Sequence, residues 1–205
     1  MTKYIIKKYK LSKLLDNNFN NRIEQINNFD CINYKSLVKT TLSIEGENLI
    51  YSQKYFKKIK KNLCKNDLTE LVKTLEYLNE IHFVHGDINK KNIIFTNEGL
   101  KLIDYEPSLV QLKEKETIIK VTIPYIFKDM LYNRDFSSEI DKLGFIYFLL
   151  RQNHFINSRD IINLQKTFDH YSIIKLSFND LKLLSYQDLV DYVYHELLNL
   201  NDTFN

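Results

Sequence analysis

Apolar positions early in the chain fall into short β-like runs, and those further on recur at helical spacing. Residues 4–9 read as a strand. Residues 19–29 carry Phe19, Ile23 and Ile26 at the period of a helix. Residues 36–44 are rich in β-branched and apolar side chains, Glu45-Gly46-Glu47-Asn48 is a turn, and 49–56 is again strand-like. Together these predict a hairpin. Asp67-Leu68-Thr69-Glu70 has the form of a capping box, and Leu68, Leu71, Val72, Leu75, Leu78 and Ile81 then mark one face of a helix. Two short apolar strands are expected at 92–95 and 100–103, around Thr96-Asn97-Glu98-Gly99. Helical patterns follow at 140–150, 160–168 and 186–200. The fold class this order predicts is α+β. A small β-rich lobe over 1–56 is followed by a mainly helical lobe over 57–205.

Composition narrows the class without naming a function. Hydrophobic residues make up 44% of the 205 and charged residues 27%, a globular rather than disordered balance. A formal charge of +3 does not by itself imply a nucleic-acid partner, and none is expected. Two clusters stand out against that balance: Lys3, Lys7, Lys8, Lys10 and Lys13, and Lys57, Lys58, Lys60, Lys61 and Lys65. The second is read first as a solvated face, with attraction for an acidic substrate or a nucleic acid as the sharper alternative. Two cysteines make no disulfide framework, and no apolar stretch reaches the ~18 residues of a membrane span. A cytoplasmic protein is expected.

The chemistry concentrates in His85-Gly86-Asp87-Ile88-Asn89-Lys90-Lys91-Asn92, followed by Leu102-Ile103-Asp104-Tyr105-Glu106. Phosphoryl transfer needs Mg2+ to neutralise phosphate charge and a carboxylate to orient the attacking hydroxyl. Asp87, Asn92 and Asp104 offer oxygen-bearing side chains, and the intervening hairpin would return Asp104 close to Asn92. The pattern H-G-D-x4-N, hairpin, I-D-Y-E resembles the catalytic and metal-binding loops of protein-kinase-like enzymes. Most protein kinases have Arg where Gly86 stands; the H-G-D form is more usual in aminoglycoside, choline, lipopolysaccharide and some atypical protein kinases. The resemblance implies a two-lobed kinase fold using ATP and Mg2+. It makes Asp87 the catalytic base and Asn92 and Asp104 the metal ligands. Lys91 is similar in position to an Arg that tyrosine kinases place four residues after the base, and would supply charge toward the γ-phosphate.

Further segments extend the resemblance. Thr122-Ile123-Pro124-Tyr125 to Asp129 is similar to the end of a protein-kinase activation segment, with Thr122 bonding the catalytic Asp. Ser137 to Gly144 looks like the start of the large lobe's central helix. There Glu139 aligns with the acidic anchor of the catalytic loop, and Asp141 is the alternative. Tyr4-Ile5-Ile6-Lys7 resembles the strand whose Lys holds the α- and β-phosphates, with Lys8 as competitor, and Glu24 is its expected helix partner. Ile5, Gln53 and Tyr55 complete the implied nucleotide contacts, the latter two in the hinge that pairs with adenine.

Departures from the family are equally specific. Gly46, Gly86, Gly99 and Gly144 are the only glycines, and none can form the glycine-rich loop that covers the phosphates. A partner completing the nucleotide site is one solution. Three functions are carried forward: a minimal serine/threonine protein kinase, a sugar, lipopolysaccharide or other small-metabolite kinase, and a pseudokinase serving as a binding module. The acceptor is accordingly a protein or a small hydroxyl-bearing metabolite.

Overall fold

The computed structural model describes residues 2–10, 19–61, 63, 65–105, 137–157, 159, 160, 163, 167 and 169–198. Three strands form the first sheet: β1 (Tyr4–Lys10), β2 (Thr40–Glu45) and β3 (Asn48–Lys54). Their order is β1-β3-β2, all antiparallel, so the predicted hairpin is present and β1 pairs with its second strand. The register sets Lys7 opposite Tyr51 and Ile5 opposite Gln53. Helix α1 (Phe19–Asn27) lies against β2. The Asn27 side chain fixes it there, donating to the Leu42 carbonyl at 3.0 Å and accepting from the Leu42 amide at 2.7 Å. Ile26 and Phe29 from this side join Leu42, Leu49 and Tyr51 in the core.

Residues 36–39 depart from the predicted strand. Leu37 instead bridges in parallel to Leu102 of the second sheet, and only from Thr40 does the chain enter β2. That detour ties the two sheets together. The second sheet is the hairpin β4 (Ile93–Thr96) and β5 (Gly99–Leu102), with Gly99 at φ 94 supplying the turn backbone that glycine adopts freely.

Helix α2 (Lys65–Glu80) buries Leu68, Leu71, Val72, Leu75 and Leu78, the face read from the sequence. It starts three residues earlier than the capping pattern implies. Asp67 therefore lies in its first turn and pairs with Lys61, and Glu70 meets Lys73. Helix α3 (Glu139–Gln152) is buried from Glu139 to Leu150, the signature of a helix enclosed on all sides. Around it pack α5 (Phe178–Leu183) and α6 (Tyr186–Tyr192), which continues as a π-helical turn over Val193–Leu197. Short α4 (Tyr171–Ile174) precedes them. Most of the helix expected over 160–168 lies outside the described residues. Among the described residues no helix is long and apolar enough to cross a membrane.

Candidate active site

The loop between α2 and β4 is suspended from α3. The backbone amides of His85 and Gly86 donate to the two carboxylate oxygens of Asp141, at 2.6 and 2.7 Å. Gly86 takes φ 80, a conformation that a side chain would strain. Burial pushes the Asp141 carboxyl up to about 7, against the two amide bonds that pull it down. Asp141 is thus the acidic anchor. Glu139, two residues earlier, lies off that side of the helix, and its Oε2 has no hydrogen-bond partner among the described residues. One turn after Asp141, Gly144 lets the loop press against the helix: a Cβ there would stand 2.5 Å from the Ile88 carbonyl oxygen.

His85 is fully buried. Its Nδ1 accepts from the Asp87 amide at 3.3 Å, so Nε2 carries the proton and donates to the Ile103 carbonyl at 3.0 Å. Burial holds the ring below the ordinary histidine range, which keeps it neutral. Its work is to clamp the Asp87 loop to the strand leading into Asp104. Tyr105 closes the same knot from behind. Its hydroxyl accepts from the Val38 amide at 3.0 Å and donates to the Leu102 carbonyl at 2.8 Å, while its ring meets Phe29, Phe83 and His85 edge-on.

Two amides hold the Asp87 carboxylate. Asn89 Nδ2 donates to Oδ1 at 2.7 Å and Asn92 Nδ2 to Oδ2 at 2.8 Å. Because the Asn92 amino group is engaged, its Oδ1 remains as the acceptor. The Ile103 amide bonds the Asn92 carbonyl at 2.9 Å, which brings the Asp104 end of the hairpin beside Asn92. Asp104 has φ 70, a left-handed backbone that Asp tolerates better than most residues. Its Oδ1 accepts from Lys7 Nζ at 2.6 Å. Lys7 belongs to the half-buried side of β1, whereas Lys8 is exposed.

The structure therefore brings together Asp87, Asn92, Asp104 and Lys7. It does not bring Glu24 to Lys7. Glu24 is exposed on the rim of a groove with Gln25, Tyr77, Ile81 and His82. The charged residue that α1 turns inward is Arg22, whose guanidinium lies 6.0 Å from the Phe83 ring centre. Gln53 is buried and donates to Thr40 Oγ1 at 2.9 Å, which occupies the amide expected near adenine. Tyr55 is exposed, and its backbone N–H donates to the Lys3 carbonyl at 2.9 Å. Ile5, across from Gln53, gathers with them at one end of the first sheet. Lys91 is exposed beside Lys90 on a basic groove. Thr122, Glu106 and the 122–129 segment lie outside the described residues.

Among the described residues no group of three His, Cys, Asp or Glu side chains could hold a metal. The donor set at hand is smaller and harder: the Asn92 amide oxygen and the Asp104 carboxylate. That set fits Mg2+, which takes one or two protein oxygens and completes its shell with phosphate oxygens and water.

This architecture defines a class. A small antiparallel sheet with one helix precedes a helical body, and the candidate loops run along the body's central helix. The solved structure of the Cydia pomonella granulovirus kinase, PK-1, is similar with a TM-score of 0.62 over 96% of this chain and 86% of that one, at 14% sequence identity. The chain has the protein-kinase-like fold, with a reduced small lobe. In sequence, 75 residues are 37% identical to the dual specificity protein kinase zakA of Dictyostelium discoideum. That match spans 35% of this chain and 10% of the relative. No protein-family model matches the chain.

Proposed function

We propose that this protein is a Mg-ATP-dependent phosphotransferase acting on an alcohol group, most simply a serine or threonine hydroxyl of a protein. The observation that carries this is the Asp87 carboxylate, held by two amides on a loop that Asp141 anchors to the central helix. A base must be positioned before its proton affinity matters, and this one is fixed on both oxygens. The lobes would be 1–56 and 57–205, with the nucleotide between them.

Asp87 orients the acceptor hydroxyl and takes its proton. Asn89 and Asn92 hold the carboxylate in place. Lys7, paired with Asp104, stands ready to exchange part of that contact for phosphate oxygens. Mg2+, held by Asn92 Oδ1 and Asp104, would supply charge neutralisation on the phosphates. A small-metabolite acceptor is the second reading, favoured by Gly86 in place of the Arg of most protein kinases.

Calorimetric titration of ATP with Mg2+ into wild type and Asp104→Ala tests the site. Mg-dependent binding that the variant loses supports the reading. Equal binding by both proteins, or binding indifferent to Mg2+, removes it.

A further inference from the structure

A basic groove of about 550 Å3 opens beside the catalytic loop. Lys58, Lys60 and Lys61 line one side and Lys90 and Lys91 the other. Lys90 and Lys91 follow Asp87 in the same loop, so the groove begins next to the candidate base. Arg151, in the last turn of α3, adds to its field together with the neighbouring lysines.

Elsewhere on the described surface four lysines have carboxylates to hand, Lys7 with Asp104, Lys54 and Lys101 with Glu98, and Lys73 with Glu70, and the remaining lysines there stand dispersed rather than gathered on one groove. In this groove only Lys61 has a carboxylate to hand, that of Asp67. Among the described residues no ion pair involves Lys58, Lys60, Lys90, Lys91 or Arg151. Partial burial, with Arg151, Lys58 and Lys91 close by, holds the Lys90 ammonium below the ordinary lysine range. Like charges held together without counter-charges raise one another's energy, and an anionic ligand relieves that cost.

We propose that this groove docks an acidic segment of the phosphate-accepting protein, so that the preferred acceptor hydroxyl lies within a few residues of Asp or Glu. The lining chemistry favours a peptide over a nucleic acid. Ile59, Ile93 and Phe95 supply apolar floor, and the one aromatic ring, Phe95, is 5% exposed and offers no face for a base to stack on. A peptide would lay carboxylates against the ammonium groups and aliphatic carbons over the floor. What becomes of a docked segment rests on the phosphotransferase reading; the docking itself does not.

Binding is therefore measured apart from turnover. Fluorescence anisotropy would follow labelled peptides with one central serine flanked by Asp and Glu, by neutral residues, or by Lys and Arg. Each is titrated with wild type and with K58E/K60E/K90E, and a single-stranded oligonucleotide is run alongside. The acidic peptide should bind at least about tenfold tighter than the neutral one, weaken by a similar factor in the variant, and weaken with salt. Binding of the acidic peptide no tighter than the neutral one, equal binding to the variant, or tighter binding of the oligonucleotide would each overturn the proposal. Circular dichroism of the variant secures that its fold is intact; should it fail to fold, K58E alone and K90E alone carry the test under the same criteria. A groove that binds the acidic peptide on a protein that transfers no phosphate would retire the enzymatic reading and leave the docking surface standing.

Discussion

Replacing Gly144 by alanine is expected to damage the catalytic loop from beneath, through the helix that carries it. The new Cβ would lie 2.5 Å from the Ile88 carbonyl oxygen, 3.2 Å from Ile88 Cβ and 3.3 Å from its carbonyl carbon. Ordinary contact begins at 3.4 Å, so helix and loop must part by about 0.9 Å. Helix α3 is buried from Glu139 to Leu150 and has nowhere to go. The loop must move, and it moves away from Asp141. Overpacking costs about 1–3 kcal/mol, and weakening one amide bond to a carboxylate adds about 1.5–3 kcal/mol. Alanine's better helix propensity returns about 1 kcal/mol. The net expectation is a destabilisation of about 1.5–5 kcal/mol. Urea unfolding followed by circular dichroism measures it from the shift in midpoint at unchanged slope. Truncating Ile88 to alanine in the same chain should not rescue it, because the nearest atom is backbone. Phosphate transfer should fall about 100-fold, the usual penalty for misplacing a catalytic group by an ångström. A stability within about 0.5 kcal/mol of wild type would refute the reasoning.

Other positions test separate links. Lys7→Met should reduce transfer by at least about tenfold and Lys8→Met by less than about threefold, measured by labelled-phosphate incorporation. The Lys7–Asp104 pair is about one-third exposed, so Lys7→Met should change folding stability by less than about 1 kcal/mol in urea. Tyr105→Phe removes the hydroxyl that satisfies the Val38 amide in a fully buried site, and should cost about 1–3 kcal/mol by the same unfolding assay. The pH dependence of Asp141 has a definite sign. Its folded pKa, about 7, lies above the ordinary 3.8, so the folded state holds a proton that the unfolded state has lost across that window. Stability relative to Asp141→Asn should therefore fall as pH rises from about 4 to about 7, by up to about 4 kcal/mol. A flat or rising difference in urea unfolding at pH 5 and pH 8 would contradict it.

What the sequence revealed and what it hid have the same geometric origin. Asp87, Asn92 and Asp104 are legible because a single loop and a hairpin of two four-residue strands bring them together, and short-range geometry fixes their meeting. Glu24 is suggested by its distance along the chain from Lys7, and that distance says nothing about helix face. Arg22 and Ile26 are four apart and share the inner side; Glu24, midway between them, turns outward. The same rule separates Glu139 from Asp141. Asp141 and Gly144 are three apart, stand on one side of α3 and both touch the catalytic loop, a pairing that was readable. The strand expected from Ser36 failed because β-branched composition cannot say which sheet a segment joins. Helices α5 and α6 were also signalled: Ser177 with Asp180 and Ser185 with Asp188 each form a capping box. The helix expected from Tyr186 begins directly after the second of these boxes, while the first lies outside every expected helix.

The central claim is that Asp87 serves phosphate transfer, and one measurement reaches it most directly. Purified wild type and Asp87→Asn would be incubated with γ-labelled ATP, Mg2+ and a serine-bearing acceptor. The substitution keeps size and replaces a carboxylate oxygen with an amide. The account predicts label on the acceptor with wild type and a loss of at least about 100-fold in the variant. Equal labelling by both proteins would contradict it.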